Sequence, residues 1–324
     1  ASVMSITVRD QVGVPANFVP EKCPDLTSEP FSSGPWLERC DGWGVDQERT
    51  SALSRSDVDV EIQISPPKGV WEGAVTGMPY QLVGSSVTTV WDLARPITWN
   101  WFTPTMPTTQ VPLPPVVRRE GDPGGAWDRH AYLLDPGKVL WEMIQLDYSP
   151  MNRWRTWWQC DWTVGYDGGG HGVARWDLTK PWNAKGQPGG VVAANIPHMP
   201  HFIRYDELNR GEIKHAMFMA LGNYSPEVTG YARASDGSAK QHPCRGGERL
   251  RLPLDAVKRF AEGTAERVVA EAMNRYGIVV GDRNDWGGSA TGKAGSIAVA
   301  QDPRITAIWR GMNLRLSDLE VVRL

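Results

Sequence analysis

Two stretches of this chain hold the residue types that acid–base chemistry needs. The first, IPHMPHFIRYDELNRGEIKHAMFMAL at 196–221, carries three of the six histidines (His198, His201, His215) and three carboxylates (Asp206, Glu207, Glu212). The second, WDRHAYLLDPGKVLWEM at 127–143, places Asp128 and His130 two apart on an expected strand, with Glu142 on the expected hairpin partner. Side chains two apart on a strand share a face, and the turn DPGK brings Glu142 back toward them. Paired carboxylates around a cleft can hydrolyse a glycoside, at ~5–5.5 Å for retention or ~6.5–9.5 Å for inversion. The competing reading is a satisfied hydrogen-bond cluster that stitches the hairpin to its sheet.

In the 196–221 stretch, Pro197 and Pro200 flank the two leading histidines, so the helical H-E-x-x-H zinc arrangement does not apply. Asp206 reads as the N-cap of a short helix that Asn209 and Gly211 close. Beyond it, Glu212 and Lys214 alternate with Ile213 and His215 along an expected strand. If Ile213 faces the core, His215 does too, and a core histidine is ordinarily hydrogen-bonded. Glu212 stays on the solvent side as a candidate catalytic carboxylate. Neither stretch calls for a metal or a cofactor.

Tryptophan is the compositional anomaly: 16 in the chain, eight of them between Trp127 and Trp182. Indole faces stack on pyranose rings while flanking polar groups bond the hydroxyls. A sugar-binding surface could therefore be assembled from Trp154, Trp157, Trp158, Trp162, Trp176 and Trp182, with Arg153, Arg155 and Asp161 beside them. Trp and Arg also concentrate where one subunit meets another, so a subunit interface is the alternative. Of the four cysteines, Cys23 and Cys40 flank a Pro/Ser/Gly-rich loop that a disulfide between them would close. No C-x-x-C pair exists, and GGGHG and KGQPGG lack the spacing of a phosphate-binding loop.

The elements that must position these residues are short. With 34 Gly and 25 Pro, the composition favours many turns over long helices. Clean alternation in VDVEIQI (58–64), and strand-like patterns in MPYQLVG, TTVWDL, AYLLD, KVLWEM, IKHAMFMAL, ERLRLPL and GIVVGD, predict ten or more strands. One substantial helix is expected at about 255–276, capped by Asp255 and stopped by Gly277. The expected fold is mainly β, a β-sandwich or jelly roll with that helix attached. Residues 1–56 are expected to form an N-terminal strand and extended, irregular arm, and 57–324 the sandwich domain. Hydrophobic content of 41%, charged content of 22% and a net charge of −3 suit a globular protein and give no reason to expect nucleic acid. No run approaches ~18 apolar residues, so membrane insertion is not expected. The N-terminus lacks the pattern of a signal peptide, and Ala1 fits removal of an initiator Met.

A series of blocks in fixed order carries a resemblance. They are GMPYQLV (77–83), WDRHAYLLD (127–135), LWEM (140–143), ARWDLTKP (174–181), FIRYDELNRGEIKHAM (202–217), ERLRLPL (248–254) and NRYGIVVGD (274–282). Together they resemble a family of jelly-roll, glycoside-hydrolase-like proteins of actinobacteria, whose relatives in actinobacteriophage genomes sit among the minor tail proteins. The resemblance spans roughly residues 60–320. It departs from the cellular members in its unmatched N-terminal arm and the missing export signal, and both departures favour a virion component. It implies a structural minor tail protein near the tail tip, within a symmetric assembly of tail subunits, that adheres to host cell-wall polysaccharide. The arm would dock on neighbouring subunits. The alternatives are a glycan hydrolase using Asp128, Glu142 or Glu212, and a cellular carbohydrate-binding protein.

Overall fold

Among the described residues strands outnumber helices, and the protein is mainly β, as the short alternating segments predict. The computed structural model describes residues 21–27, 30–64, 70–71, 74–84, 91–92, 110–114, 116–122, 128–144, 146–149, 153–156, 173–183, 189–284 and 294–324. These residues fall into two compact units. One comprises residues up to Phe31, Pro67–Val191 and Ala300–Pro303; the other comprises Ser32–Pro66, Val192–Val299 and Arg304–Leu324.

The first unit is built on a four-stranded sheet in the order Val173–Asp177, Val139–Met143, Ala131–Asp135, Tyr80–Leu82. Its centre is the hairpin expected from DPGK, with Asp135 opposite Val139 and Ala131 opposite Met143. Gly137 takes φ 72° in that turn, a conformation glycine adopts without a Cβ penalty. Val83, Val111, Leu113, Val117, Leu133, Met143 and Val173 form the core on one face, with Trp141 packed against it. The edge strand Tyr80–Leu82 holds the 116–118 segment beside it through one side chain. Gln81 donates its amide to the Val116 carbonyl at 2.8 Å and accepts from the Arg118 N–H at 2.8 Å.

The second unit holds a seven-stranded mixed sheet. Its order is Leu314–Arg315, Glu61–Ile64, Gly295–Ile297, Met217–Leu221, Ile278–Arg283, Arg249–Arg251, Glu320–Val321. The Met217–Leu221 strand runs parallel to Ile278–Arg283, and the register slips between Met219 and Ala220. Gly281 falls at that slip: a Cβ there would lie 2.1 Å from the Phe218 ring, so only glycine fits.

Five α-helices join the strands among the described residues: α1 Gln47–Ala52, α2 Tyr205–Arg210, α3 Leu254–Val257, α4 Ala265–Arg275 and α5 Pro303–Ile308. The single helix expected at 255–276 is thus two. Gly263, at φ 76°, breaks it. Thr264 then opens α4, its hydroxyl accepting from the Arg267 N–H at 3.2 Å. Asp255 caps neither helix; it lies exposed, paired with Lys258 at 2.8 Å. Val269, Ala270, Ala272 and Met273 give α4 its buried stripe. Thr264→Ala is expected to cost about 1 kcal/mol through loss of this cap. Urea denaturation checks it, and an unchanged midpoint would show the cap contributes nothing.

The described part of the expected arm is folded in. Trp36, Cys40 and Leu53 are buried, the Ala216 N–H donates to the Trp36 carbonyl, and the Cys40 N–H donates to the Arg275 carbonyl. α1, capped by Asp46, lies in a stretch expected to be loop. Residues 32–56 therefore do not extend outward, and their apolar residues explain why: burying them outweighs leaving a free loop. Residues 1–20, with the expected first strand, lie outside the described residues. Cys23 and Cys40, which a disulfide could have joined, are both free, buried thiols, one in each unit. No helix among the described residues is long and apolar enough to cross a membrane.

Candidate functional site

The 196–221 stretch folds into a buried ionic cluster in the second unit. Arg204, not Asp206, is the N-cap of α2. The Glu207 carboxylate reaches back to the Arg204 N–H at 3.3 Å, the returning half of a capping box. Gly211, at φ 80°, ends the helix in the left-handed conformation expected of it. The chain then returns so that His215 Nε2 lies 3.0 Å from Glu207 Oε1. Arg204 Nη2 approaches the same oxygen at 2.9 Å, and Arg204 Nε lies 3.4 Å from Asp206 Oδ1. Asp206 Oδ2 in turn binds Arg210 Nη1 at 2.8 Å.

Protonation follows from these contacts. His215 Nδ1 is 2.9 Å from its neighbour's carbonyl at Ala216, so both ring nitrogens lie near acceptors, an arrangement that favours the protonated ring. Burial pushes the His215 pKa down, but the charge and hydrogen bond of Glu207 outweigh burial and raise it overall. Burial likewise acts to raise Glu207, and Arg204 with His215 hold it below the usual carboxylate value. His201 behaves oppositely. Burial, then the positive charges of His215 and Arg249, hold it well below 6.5, so it is neutral. Its Nε2 lies 2.8 Å from the Tyr231 hydroxyl, whose pKa burial raises to about 12, so the hydroxyl keeps its proton. His198 is wedged against the rings of Phe202 and Phe218, with centroids at 4.9 and 4.4 Å.

The inner members of the cluster are closed to solvent, and Arg210 is its exposed one. Arg204 and His201 are 0% exposed, Glu207 and His215 1%. The cluster ties α2 to the segment entering the Met217–Leu221 strand, and its two buried cations and two buried carboxylates balance. Ile213 and His215 do turn inward and Glu212 and Lys214 outward, as alternation predicts. Glu212 is on the surface, paired with Lys214 at 3.1 Å, well apart in character from the buried carboxylates.

In the first unit, Asp128 does not share a strand with His130. The strand starts at Ala131, and Arg129, at φ 48°, turns the backbone between them, leaving Asp128 exposed. His130 is buried and binds Glu120 Oε2 through Nδ1 at 2.7 Å. Its Nε2 lies 3.4 Å from the Val191 carbonyl. Its ring stacks on Tyr132 at 6.0 Å. Glu142 stands opposite Tyr132 in the hairpin, as the turn register predicts, and is 0% exposed. Sequence reasoning missed Glu120, which sits ten residues away in a proline-rich stretch that no periodicity marks. Neighbouring Arg119 is also buried, bonded to the Leu146 carbonyl at 3.0 Å and to Asp122.

The expected sugar-stacking surface is described only in part. Arg153, Trp154 and Arg155 lie on the Arg153–Thr156 strand, paired with Leu146–Ser149. Their side chains, and all of Trp157, Trp158, Asp161 and Trp162, lie outside the described residues. Trp176 stacks on Trp182 with centroids 6.1 Å apart; Trp176 is 3% exposed and offers no open face, whereas Trp182 is half-buried. Among the described residues no group of three His, Cys, Asp or Glu side chains is placed to hold a metal.

An open cleft of about 760 Å³ lies in the second unit, between α2, the start of α4 and the end of α5. Tyr205, Arg210, Glu262, Thr264, Arg267 and Arg310 line much of it. Asp206, anchored in the buried cluster, holds Arg210 at the cleft wall.

Fold and sites together define a mainly β protein in which Glu207 and His215 meet in one buried cluster and His130 pairs with Glu120. No protein-family model matches the chain, and no curated protein and no solved structure shows significant similarity to it.

Proposed function

We propose that this chain is a structural minor tail protein of an actinobacteriophage virion, placed near the tail tip and adhering to host cell-envelope glycan. One observation carries the structural half. The carboxylates singled out for hydrolysis are not poised for it: Glu142 is wholly buried, Glu212 is paired with Lys214, and Asp128 lies exposed before the strand, separated from His130 by the turn at Arg129. A glycosidase needs two accessible carboxyls at defined separation across a cleft. The ordered blocks between residues 77 and 282 support the assignment to phage tails. Its partners are then other tail subunits and a cell-wall polysaccharide.

The reading is tested by mass spectrometry of purified virions, where the protein is expected as a tail component. Incubated with actinobacterial cell-wall polysaccharide, it is expected to release no reducing ends. Turnover that Glu142→Gln abolishes would replace this reading with the hydrolase. Absence from virions would point instead to a cellular carbohydrate-binding protein.

A further inference from the structure

We propose that the cleft between α2, α4 and α5 binds an uncharged sugar unit of a glycan. The inference rests on the adhesive half of the function proposed above and names where the sugar sits. Its volume, about 760 Å³, falls within the ~300–1,000 Å³ typical of small-molecule sites.

The polar groups on its walls come in both signs, and several have bonding capacity left. The Arg310 backbone is pinned, because its N–H and that of Gly311 both donate to the buried carboxylate of Glu266. Its guanidinium makes no hydrogen bond or ion pair among the described residues. Arg267 uses Nε on Glu271 at 2.8 Å and Nη1 on the Phe260 carbonyl at 3.2 Å, which leaves Nη2. Glu262 is exposed and has no partner among the described residues. Asn209, also on the wall, offers an amide that both donates and accepts. Tyr205 adds an aromatic ring, held in place by Arg304, whose guanidinium carbon sits over it at 4.0 Å.

The mixture decides the ligand class. An anion entering here would be drawn to Arg310 but would face Glu262 and Glu271, and a cation would face Arg210, Arg267 and Arg310. A hydroxyl donates one proton and accepts at two lone pairs, so a ring bearing several can satisfy both sets of groups at once. An uncharged polyol also enters without the desolvation penalty of a charge.

The test is an amide-shift titration of the full chain by NMR with glucose, galactose, arabinose and N-acetylglucosamine at millimolar concentration, with phosphate and sulfate as separate arms. Shifts are expected from at least one sugar, confined to residues of α2, the start of α4 and the end of α5. Arg310→Ala and Glu262→Gln, both at exposed positions, are each expected to weaken that binding about tenfold, a loss typical of one hydrogen bond to a charged group. Unchanged shifts elsewhere confirm that the variants are folded. No shift with any sugar, or a larger response at these residues to phosphate or sulfate, overturns the proposal. An empty cleft in a protein found in virions removes the cleft alone. Sugar binding by a protein absent from virions removes the tail assignment alone.

Discussion

Glu207→Ala is expected to destabilise the protein by roughly 3–5 kcal/mol, the range for removing one partner of a buried ion pair. The substitution strands Arg204 and His215, which are 0% and 1% exposed and lie 2.9 and 3.0 Å from the lost carboxylate oxygen. A single domain is commonly stable by only ~5–15 kcal/mol, so the urea midpoint should fall far. A change below about 1 kcal/mol would mean the cluster is solvated and the pairing carries little. Crossing the substitution with His215→Ala measures the pair itself: the double variant should be less damaged than the two single losses summed.

The pH dependence of that loss has a definite sign. Glu207 is lowered from 4.5 in the fold, so its stabilisation is present above 4.5 and fades as pH falls through its depressed value. His215 is raised from 6.5, so its stabilisation is full below 6.5 and fades as pH rises through its elevated value. The gap between wild type and Glu207→Ala should therefore be widest between pH 4.5 and 6.5 and narrow on both sides. His201 is held well below 6.5 first by burial, which the substitution leaves in place, so it weakens both proteins as the medium is acidified. A gap that does not vary with pH would remove the charged imidazole from the account.

Gly277→Ala is the second large effect, at about 3 kcal/mol. Gly277 has φ 77°, and a Cβ there would lie 2.5 Å from the Leu250 carbonyl oxygen and 2.9 Å from Arg249 Cδ. The left-handed conformation alone costs an alanine roughly 1–2 kcal/mol, and shifting a packed backbone adds roughly 1–3 kcal/mol. Gly263 supplies the control. It has φ 76° with nothing within 4 Å of its Cβ position, so Gly263→Ala should show only the conformational part. Equal losses at the two sites, read from urea midpoints, would mean the crowding around Gly277 relaxes freely.

Some of this molecule was open to inspection in its letters. DPGK announced the central hairpin and its register, because a tight turn leaves little freedom in which residues face each other. Alternation turned His215 inward and Glu212 outward, and glycines at 211 and 277 marked the ends of helices. The partners of the buried histidines were not legible. Glu120 meets His130 only because a proline-rich segment folds back over the hairpin, a long-range fact that leaves no local pattern. Arg204 as N-cap defies the usual preference for small polar caps, since its backbone N–H meets Glu207 and its side chain is taken up by the ionic cluster. The break at Gly263 was hidden because an apolar stripe continues across it, and helical periodicity alone does not register one residue of inverted φ. The fold of residues 32–56 was missed for a related reason: turns rich in Pro, Ser and Gly look alike whether they drape over a core or wave free.

The amide of Gln81 has a consequence for handling the protein at high concentration. The strand Tyr80–Leu82 ends its sheet, and such a rim ordinarily recruits the rim of another molecule, the first step toward fibres and precipitates. Here a side-chain amide, matched to the Val116 carbonyl and the Arg118 N–H at 2.8 Å each, imitates a peptide group and occupies part of the rim from within the same chain. Gln81→Ala frees that stretch of rim, and is expected to raise light scattering in concentrated solutions relative to the unaltered chain.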